Sequence, residues 1–317
     1  MTRRVRSMSQ LLAGLLVLGL TVLSACADEA IPPVAKAEPA SSGVAAFPLT
    51  LRDSAGTEVR LEKMPERIIS LSPGATEILY AINAGDRVVA TDAFSDYPAA
   101  AKAVAKVDYS NPNPEATLAL RPDLVIMATR QEQLVAQFRG LGMTVYLAKE
   151  PENLEGVYAH ITTFGRLTGR TTEAAAVVTG MQAEVGAVMT SIAGVQQGPR
   201  VFFELDSTLY TAAPNTFIGA MLTMLKARNI AEGATTQFPQ LSSEAVIAAN
   251  PEVVLLADHA FGQNLETVSA RPGWSGVAAV TNKRVHPIDP DTTNRPGPRL
   301  AQGIRAMGQA LYPDRVK

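Results

Sequence analysis

Short runs of consecutive apolar residues recur along the chain, separated by segments whose apolar residues follow helical spacing. Such runs, when bounded by polar residues or proline, are typical of strands buried on both faces of a parallel sheet. The predicted strands are 67–71, 87–91, 124–128, 144–148, 200–205, 253–257 and 284–288. The predicted helices between them include 75–82, 131–139 and 217–227. Because strands and helices alternate, we predict an α/β fold with mostly parallel sheets covered on both sides.

One segment occurs twice. Residues 115–128 (Glu-Ala-Thr-Leu-Ala-Leu-Arg-Pro-Asp-Leu-Val-Ile-Met-Ala) align without a gap with residues 244–257 (Glu-Ala-Val-Ile-Ala-Ala-Asn-Pro-Glu-Val-Val-Leu-Leu-Ala), 129 positions later. In each copy an acid opens a short helix, a proline ends it, and a second acid precedes a buried strand. A period this long is typical of a duplicated domain and not of a solenoid. The other interpretation is chance similarity between two common helix–turn–strand units.

A long amphipathic helix is predicted between the two halves, with Thr171 and Thr172 as N-cap candidates and an end near Ala193. Its apolar stripe consists of Ala175, Val178, Met181, Val185, Val188 and Ile192. A helix of about 22 residues extends about 33 Å, long enough to join two lobes, and a single such connector predicts modest closure around a ligand. The predicted boundaries are 48–150 for the N-terminal lobe, 151–197 for the helical connector and 198–317 for the C-terminal lobe.

The first residues predict export. Three arginines precede an apolar stretch over 11–23, which suits a signal-peptide core and is shorter than the roughly 20 residues that span a bilayer. It ends at Leu-Ser-Ala-Cys26, which resembles the bacterial lipobox, so 1–25 is predicted as a lipoprotein signal peptide and Cys26 as the lipidated residue that anchors the chain to a membrane. The alternative is an ordinary signal peptide cut near Ala25. Residues 26–47, rich in Ala and Pro, are typical of a flexible tether.

Composition argues against several classes of function. With 28 Lys and Arg against 30 Asp and Glu and no basic run, the chain offers no footprint for nucleic acid. Its single cysteine cannot form an internal disulfide, and its three histidines are isolated, which argues against a metal site. The sequence contains no nucleophile elbow, phosphate loop, dinucleotide-binding turn or zinc-protease helix. We therefore predict neither an enzyme nor a resident cofactor; an uncharacterised lipoprotein enzyme stays as a remote alternative.

From about Phe47 to Tyr312 the chain resembles the periplasmic binding proteins for cobalamin and ferric siderophores. The resemblance is carried by 67–77 (Arg-Ile-Ile-Ser-Leu-Ser-Pro-Gly-Ala-Thr-Glu), by 94–98 (Phe-Ser-Asp-Tyr-Pro) and by the two repeated segments. It implies two Rossmann-like lobes joined by one long α-helix, with a ligand cleft between them near the carboxyl ends of the strands. It also implies that the chain captures a small chelate outside the cytoplasm and delivers it to an ABC permease dimer with its ATPase subunits.

The resemblance assigns a docking role to one glutamate on each lobe, which contacts arginines of the permease; by position these are Glu115 and Glu244. The duplication agrees, since a two-lobed protein that faces a two-fold permease needs one equivalent charge on each lobe. The simpler interpretation is that both are capping acids, because an acid in the first turn of a helix is favoured by the helix dipole.

For the ligand site, the resemblance assigns aromatic positions to Phe94, Tyr109 and Phe238. The last two each lie six residues before a repeated glutamate, so their symmetric placement also follows from the sequence. It places Asp291 and Arg295 at the polar edge of a corrin ring, in a segment that we predict to be an exposed loop. The alternatives are core packing for the aromatic residues and a local Asx turn for the polar ones.

We predict cobalamin or a related corrinoid as the ligand. A ferric siderophore is an alternative, for which Arg130 and Arg295 would supply cations. Haem is another, for which His259 is the best candidate iron ligand. His160 is expected to be a packed helical residue, His286 to lie in a strand, and Trp274 to be a packing anchor outside the site.

Overall fold

The computed structural model describes residues 46–108, 111–128 and 132–317. The predicted signal peptide and most of the tether lie outside the described residues, as do Cys26, Tyr109 and Arg130. Within the described ranges no helix combines the length and apolar character needed to cross a membrane.

The N-terminal lobe is a five-stranded parallel sheet with helices on its faces and an antiparallel hairpin at its start. Its elements are β1 (Leu49–Arg52), β2 (Glu58–Leu61), β3 (Ile68–Leu71), α1 (Pro73–Ala81), β4 (Val88–Asp92), β5 (Ala105–Val107), α2 (Pro114–Ala119), β6 (Leu124–Met127), α3 (Glu132–Gly140) and β7 (Val145–Leu147). The strand order is β5-β4-β3-β6-β7, and every neighbouring pair is parallel.

Two helices follow, α4 (Leu154–Thr168) and α5 (Thr171–Ser191). The C-terminal lobe contains β8 (Arg200–Glu204), α6 (Phe217–Met224), β9 (Arg228–Asn229), α7 (Ser243–Ala249), β10 (Val253–Leu256), α8 (Leu265–Ser269), α9 (Ala278–Thr281), β11 (Val285–Pro287), α10 (Pro290–Thr293) and α11 (Leu300–Leu311). Its parallel sheet has the order β11-β10-β8-β9.

Four of the five strands in the first sheet follow the same order as the four strands of the second, because β4-β3-β6-β7 corresponds to β9-β8-β10-β11. The second acid of each repeat has the same structural role. Asp123 accepts a hydrogen bond from the backbone N–H of Arg67 at 3.1 Å, and Glu252 accepts one from the backbone N–H of Arg200 at 2.9 Å. Each acid thus fixes the start of the neighbouring central strand, which supports the interpretation of the repeat as a duplicated domain.

The predicted strands are all present, with ends that differ by at most one residue from the sequence prediction. Every residue of β3, β6 and β10 is buried, as expected for strands covered on both faces. Buried residues of both lobes and of α4 and α5 form one continuous hydrophobic cluster. The prediction of an α/β fold with mostly parallel sheets is confirmed.

The connecting helix α5 is confirmed, but its predicted start is wrong in detail. The N-cap is Arg170 and not Thr171 or Thr172. The reason is the preceding corner: α4 ends at Gly169 in a left-handed conformation (φ 68°), and the N–H of Arg170 bonds back to the carbonyl of Gly165 at 2.7 Å. Helix α5 therefore begins at once. Its buried face starts at Ala174, whereas the predicted Ala175 is exposed.

Candidate functional site

A cleft of about 860 Å³ lies between the lobes, at the carboxyl ends of the strands. Its wall on the N-terminal lobe consists of Ala128 after β6, Leu147 at the end of β7, and residues 149–152. Its wall on the C-terminal lobe consists of Leu205 after β8, residues 215–218, Gln237, Phe238, Asn294 and Pro296. This edge is the usual ligand site of open α/β sheets. The volume is sufficient for a ligand at the upper end of the size range of small molecules.

Apolar and uncharged polar groups dominate the wall formed by the C-terminal lobe. The start of α6 contributes Phe217 and Ile218, and three side-chain amides come from Asn215, Gln237 and Asn294. Among the described lining residues, the charged ones are Lys149, Glu150 and Glu152, on the side of the N-terminal lobe. The described part of the cleft therefore offers hydrogen-bond donors and acceptors beside apolar surface, with little net charge.

Two of the three predicted aromatic residues, Phe94 and Phe238, are exposed at this edge. Phe238 is 51% exposed and lines the cleft, and Phe94 is 57% exposed in the loop after β4 but is not among the residues that line it. Core packing is thus excluded for both. Asp92 holds the loop, accepting a hydrogen bond from the backbone N–H of Phe94 at 2.8 Å. Tyr109 lies outside the described residues. The Asn215 and Gln237 positions were not predicted, and no sequence signal identifies them.

Asp291 and Arg295 lie in a segment that is partly helical and more buried than predicted. Asp291 lies in α10, and the Arg295 side chain is only 17% exposed, so the expected exposed loop is wrong here. Arg295 donates to Asp96 of the other lobe at 2.6 Å and pairs with Asp291 at 2.8 Å. Burial of the guanidinium is possible because both carboxylates neutralise it. Asp291 and Arg295 thus lie beside the cleft with their charges paired.

A second arginine of this segment makes a contact that the sequence did not predict. Arg299 forms two hydrogen bonds with Glu77, at 2.6 and 2.9 Å, and Glu77 is 3% exposed. Desolvation raises the pKa of Glu77, whereas its bonds to Arg299 oppose that shift and raise the pKa of the guanidinium. One signal exists in the sequence: Glu77 is a lone charge among apolar residues of a helix, which calls for a partner without naming it.

Glu115 and Glu244 are both exposed in the first turns of α2 and α7. The side chains of Asn113 and Ser242 cap these helices. In a parallel α/β unit, a helix that leads into a strand begins at the carboxyl edge of the sheet, so both glutamates lie at the same edge as the cleft. The pKa of Glu244 is lowered by hydrogen bonds that its carboxylate accepts from its own backbone N–H and from the Ser242 side chain. Both glutamates are thus available to solvent at equivalent positions.

None of the three histidines lines the cleft among the described residues. His160 stacks on Phe164 within α4, with ring centroids 5.8 Å apart, and His286 lies in β11. The described residues contain no cluster of His, Cys, Asp and Glu that could hold a metal ion. Trp274 is fully buried and packs against Phe202, as predicted for a packing anchor.

Two buried carboxyls lie at the carboxyl edge of the second sheet. Glu204 ends β8 and is fully buried, and Asp258 follows β10 with 3% exposure. Burial, and after it the charge of Glu204, raises the pKa of Asp258 to about 6. Because this value lies above the usual 3.8, the folded chain holds the proton more tightly than the unfolded chain. Asp258 therefore lowers stability progressively as the pH rises from about 4 to 6, and the loss persists above that.

The Asp258→Asn substitution is expected to raise the free energy of unfolding by about 1–2 kcal/mol at pH 8 and by about 0.5 kcal/mol or less at pH 4. Urea unfolding at both pH values measures the difference. The exposed acid Asp314 provides the control, since Asp314→Asn replaces a surface side chain and should change the free energy of unfolding by less than about 0.5 kcal/mol at either pH. An equal gain at both pH values would mean that Asp258 does not titrate in this range.

The chain has the architecture of a two-lobed ligand-binding protein: two α/β lobes whose sheets match in four strands, a helical connector, and a cleft at the carboxyl edges of the sheets. Residues 68–292 match the family described as periplasmic binding protein, and the chain belongs to that family. The members of this family are substrate-binding proteins of transport systems outside the cytoplasm, and not enzymes. The resemblance inferred from residues 67–77, 94–98 and the repeat is confirmed.

Two relatives align over nearly the whole chain. The uncharacterized ABC transporter substrate-binding lipoprotein YvrC of Bacillus subtilis (strain 168) is 31% identical over 310 residues, covering 95% of this chain and 96% of the relative. A cobalamin-binding protein of Halobacterium salinarum is 30% identical over 311 residues, covering 95% of this chain and 84% of the relative.

Among solved structures, the apo form of the periplasmic heme-binding protein RhuT from Roseiflexus sp. RS-1 is similar, with a TM-score of 0.70 and 27% identity. The alignment covers 80% of this chain and 99% of that protein. Proteins of one fold and comparable identity thus carry names that refer to different ligands, so the ligand has to be argued from the cleft itself.

Proposed function

We propose that this chain is a lipid-anchored substrate-binding protein that captures cobalamin or a related corrinoid and delivers it to an ABC permease. The observation that carries the choice of ligand is the character of the described cleft: it is large, it presents side-chain amides beside apolar surface, and Arg295 and Arg299 next to it are already paired. A corrin ring carries uncharged amide side chains around an apolar face, which such a cleft complements.

The alternatives require groups that the described cleft does not supply. An anionic ferric siderophore calls for free cations, but Arg295 is held by Asp96 and Asp291, and Lys149 is the one cation that lines the described cleft. Haem calls for an axial histidine or tyrosine, and neither residue type is found among the described lining residues. The relative from Halobacterium salinarum, named for cobalamin binding, supports the same choice.

The proposal includes a docking role for Glu115 and Glu244 and an anchoring role for Cys26. The two glutamates are exposed at equivalent positions of the duplicated lobes, as a two-fold permease dimer with its ATPase subunits would require. The lipobox-like sequence before Cys26 supports lipidation of an exported chain, and the relative from Bacillus subtilis is named a lipoprotein.

The proposed ligand can be tested with visible chromophores. The purified protein is mixed in turn with cyanocobalamin, haemin and a panel of ferric siderophores and passed over a gel-filtration column. We expect cyanocobalamin alone to co-elute, and calorimetry to give one molecule per chain. Co-elution of haemin or a ferric siderophore without cyanocobalamin would refute the corrinoid proposal.

Replacing Phe238 by alanine is expected to weaken cyanocobalamin binding by about 10- to 100-fold, because the half-exposed ring would lose the apolar area that it buries against the ligand. Calorimetric titration measures the change in Kd. Phe261→Ala is the matched control: Phe261 belongs to the same lobe and is 87% exposed, but it does not line the cleft, so its loss should change Kd less than about twofold. Equal changes in Kd for the two substitutions would show that the Phe238 ring does not contact the ligand.

A further inference from the structure

Charged side chains join the two lobes beside the cleft. Glu77 of α1 and Asp96 of the loop after β4 belong to the N-terminal lobe, and Arg295 and Arg299 belong to the C-terminal lobe. Arg299 binds both carboxylate oxygens of Glu77, and Arg295 Nη1 donates to Asp96 Oδ1 at 2.6 Å. The partners are 222 and 199 residues apart in the chain, so these bonds form only when the lobes are assembled on each other.

The contact is closely packed as well as charged. The side chain of Glu77 is 2% exposed and that of Arg299 is 14% exposed, so their bidentate pair is shielded from water, where charge-assisted hydrogen bonds are strongest. The Arg299 guanidinium also lies 4.0 Å from the centroid of the Tyr97 ring, which belongs to the opposite lobe. The backbones meet nearby: a Cβ atom on Gly74 would lie 2.7 Å from the carbonyl oxygen of Pro296.

Each half of this contact is continuous with the candidate site. Arg295 lies between Asn294 and Pro296, and both of these line the cleft. On the opposite lobe, Asp96 follows two residues after Phe94, in the loop that Asp92 anchors. A change in the ion pairs would therefore displace residues that line or border the cleft on both sides.

We infer that Glu77, Asp96, Arg295 and Arg299 form an inter-lobe latch, in which they act as positioning residues that hold the cleft at one width before ligand arrives. The helical connector already joins the lobes, and the latch adds a direct contact between them. The ligand then meets a preformed cleft, and binding requires little ordering of the protein. The spacing of the lobes does not depend on which chelate binds; only the affinity measurement below rests on the proposed function.

The spacing can be measured with spin labels at Ala119→Cys and Ala248→Cys, which are exposed and equivalent in the two copies of the repeat. Cys26→Ser removes the natural thiol. Electron–electron double resonance on the otherwise unchanged chain should give a narrow distance distribution, of nearly the same mean and width with and without cyanocobalamin. Arg299→Met keeps the apolar part of the side chain and removes the charge, and we expect the distribution to become at least about twice as wide.

The matched control is Arg305→Met. It breaks an ion pair of 2.6 Å with Glu184, which joins α11 to α5 and not to the N-terminal lobe, so the distribution should stay narrow. A milder latch variant, Asp96→Asn, alters a side chain that is 45% exposed and serves if Arg299→Met does not fold. A folded latch variant with a distribution as narrow as that of the unchanged chain overturns the inference.

Ligand release provides the second measurement. Loss of the latch should speed dissociation of cyanocobalamin by about 10-fold in stopped-flow experiments, with a smaller effect on association, because affinity differences between related complexes arise mostly in dissociation. Unchanged dissociation from a variant with widened spacing would contradict the coupling between latch and cleft. If the unchanged chain binds no cyanocobalamin, the proposed function fails, and the distance distribution decides the latch by itself.

Discussion

Cells that depend on this chain for uptake are expected to lose transport when Glu115 and Glu244 are both replaced by alanine, while the purified variant binds ligand with unchanged Kd. Both side chains are exposed and do not line the cleft, so their removal leaves the ligand contacts in place. If docking desolvates each carboxylate against an arginine, its removal leaves that arginine buried without a partner, so each substitution should reduce uptake by at least about 30-fold. Uptake of labelled ligand measures the loss.

The control for this experiment needs acids of the same local type. Glu155 and Glu266 are exposed and lie in the first turns of α4 and α8, but neither belongs to the repeat. Glu155→Ala with Glu266→Ala should therefore leave uptake and Kd unchanged. Uptake at the unchanged rate by the Glu115/Glu244 double variant would leave both residues as helix-capping acids and would remove the docking role from the proposal.

The docking and capping interpretations are not exclusive. The Ser242 side chain caps α7 and contributes to the lowered pKa of Glu244, so this carboxylate also interacts with the start of its helix. A capping acid acts only on its own helix, whereas the duplication places both acids at the same edge of equivalent sheets. Thermal unfolding separates the two roles: a docking residue can be lost with almost no change in Tm.

The buried strands could be predicted from the sequence because each carries its own signal. A strand covered on both faces is a continuous apolar run, and β6 and β10 are such runs in both copies of the repeat. The elements without a prediction lack that signal. The hairpin strands β1 and β2 alternate between exposed and buried or half-buried residues, and β9 contains only two residues, so tertiary pairing and not local pattern defines it.

The candidate site divides in the same way. The exposed positions of Phe238, Glu115 and Glu244 could be predicted because these residues stand at fixed offsets within the repeat or within the segments that carry the resemblance. The pairing of Arg295 with Asp96 could not, because the partners are 199 residues apart and each taken alone is typical of a solvated surface residue. The raised pKa of Asp258 likewise depends on β8 and β10 being neighbours, which brings Glu204 close.

Among the substitutions proposed for this chain, Glu204→Ala is expected to produce the largest loss of stability. Its carboxylate is fully buried and receives two hydrogen bonds of 2.6 Å from Arg271, whose guanidinium also lies 4.8 Å from the centroid of the Trp274 ring and donates to Gln263 at 2.8 Å. Breaking a buried pair by removing one partner leaves an uncompensated charge and typically costs about 3–5 kcal/mol. We expect Glu204→Ala to lower the free energy of unfolding by about that amount, measured by urea denaturation at pH 7.

The exposed pair of Arg60 and Glu62 is the matched control, since Glu62→Ala breaks an ion pair of the same 2.6 Å length and should produce no measurable loss. Equal losses in the two variants would show that burial does not determine the contribution of the Arg271 pair.

Removing the other partner, Arg271, gives a different pH dependence of the loss. Arg271→Met removes a cation that lowers the pKa of Asp258, so the ionised form of Asp258 becomes more costly and the loss of stability should grow as the pH rises from 5 to 8. The loss in Glu204→Ala should instead shrink over that range, because Asp258 no longer faces a second carboxylate.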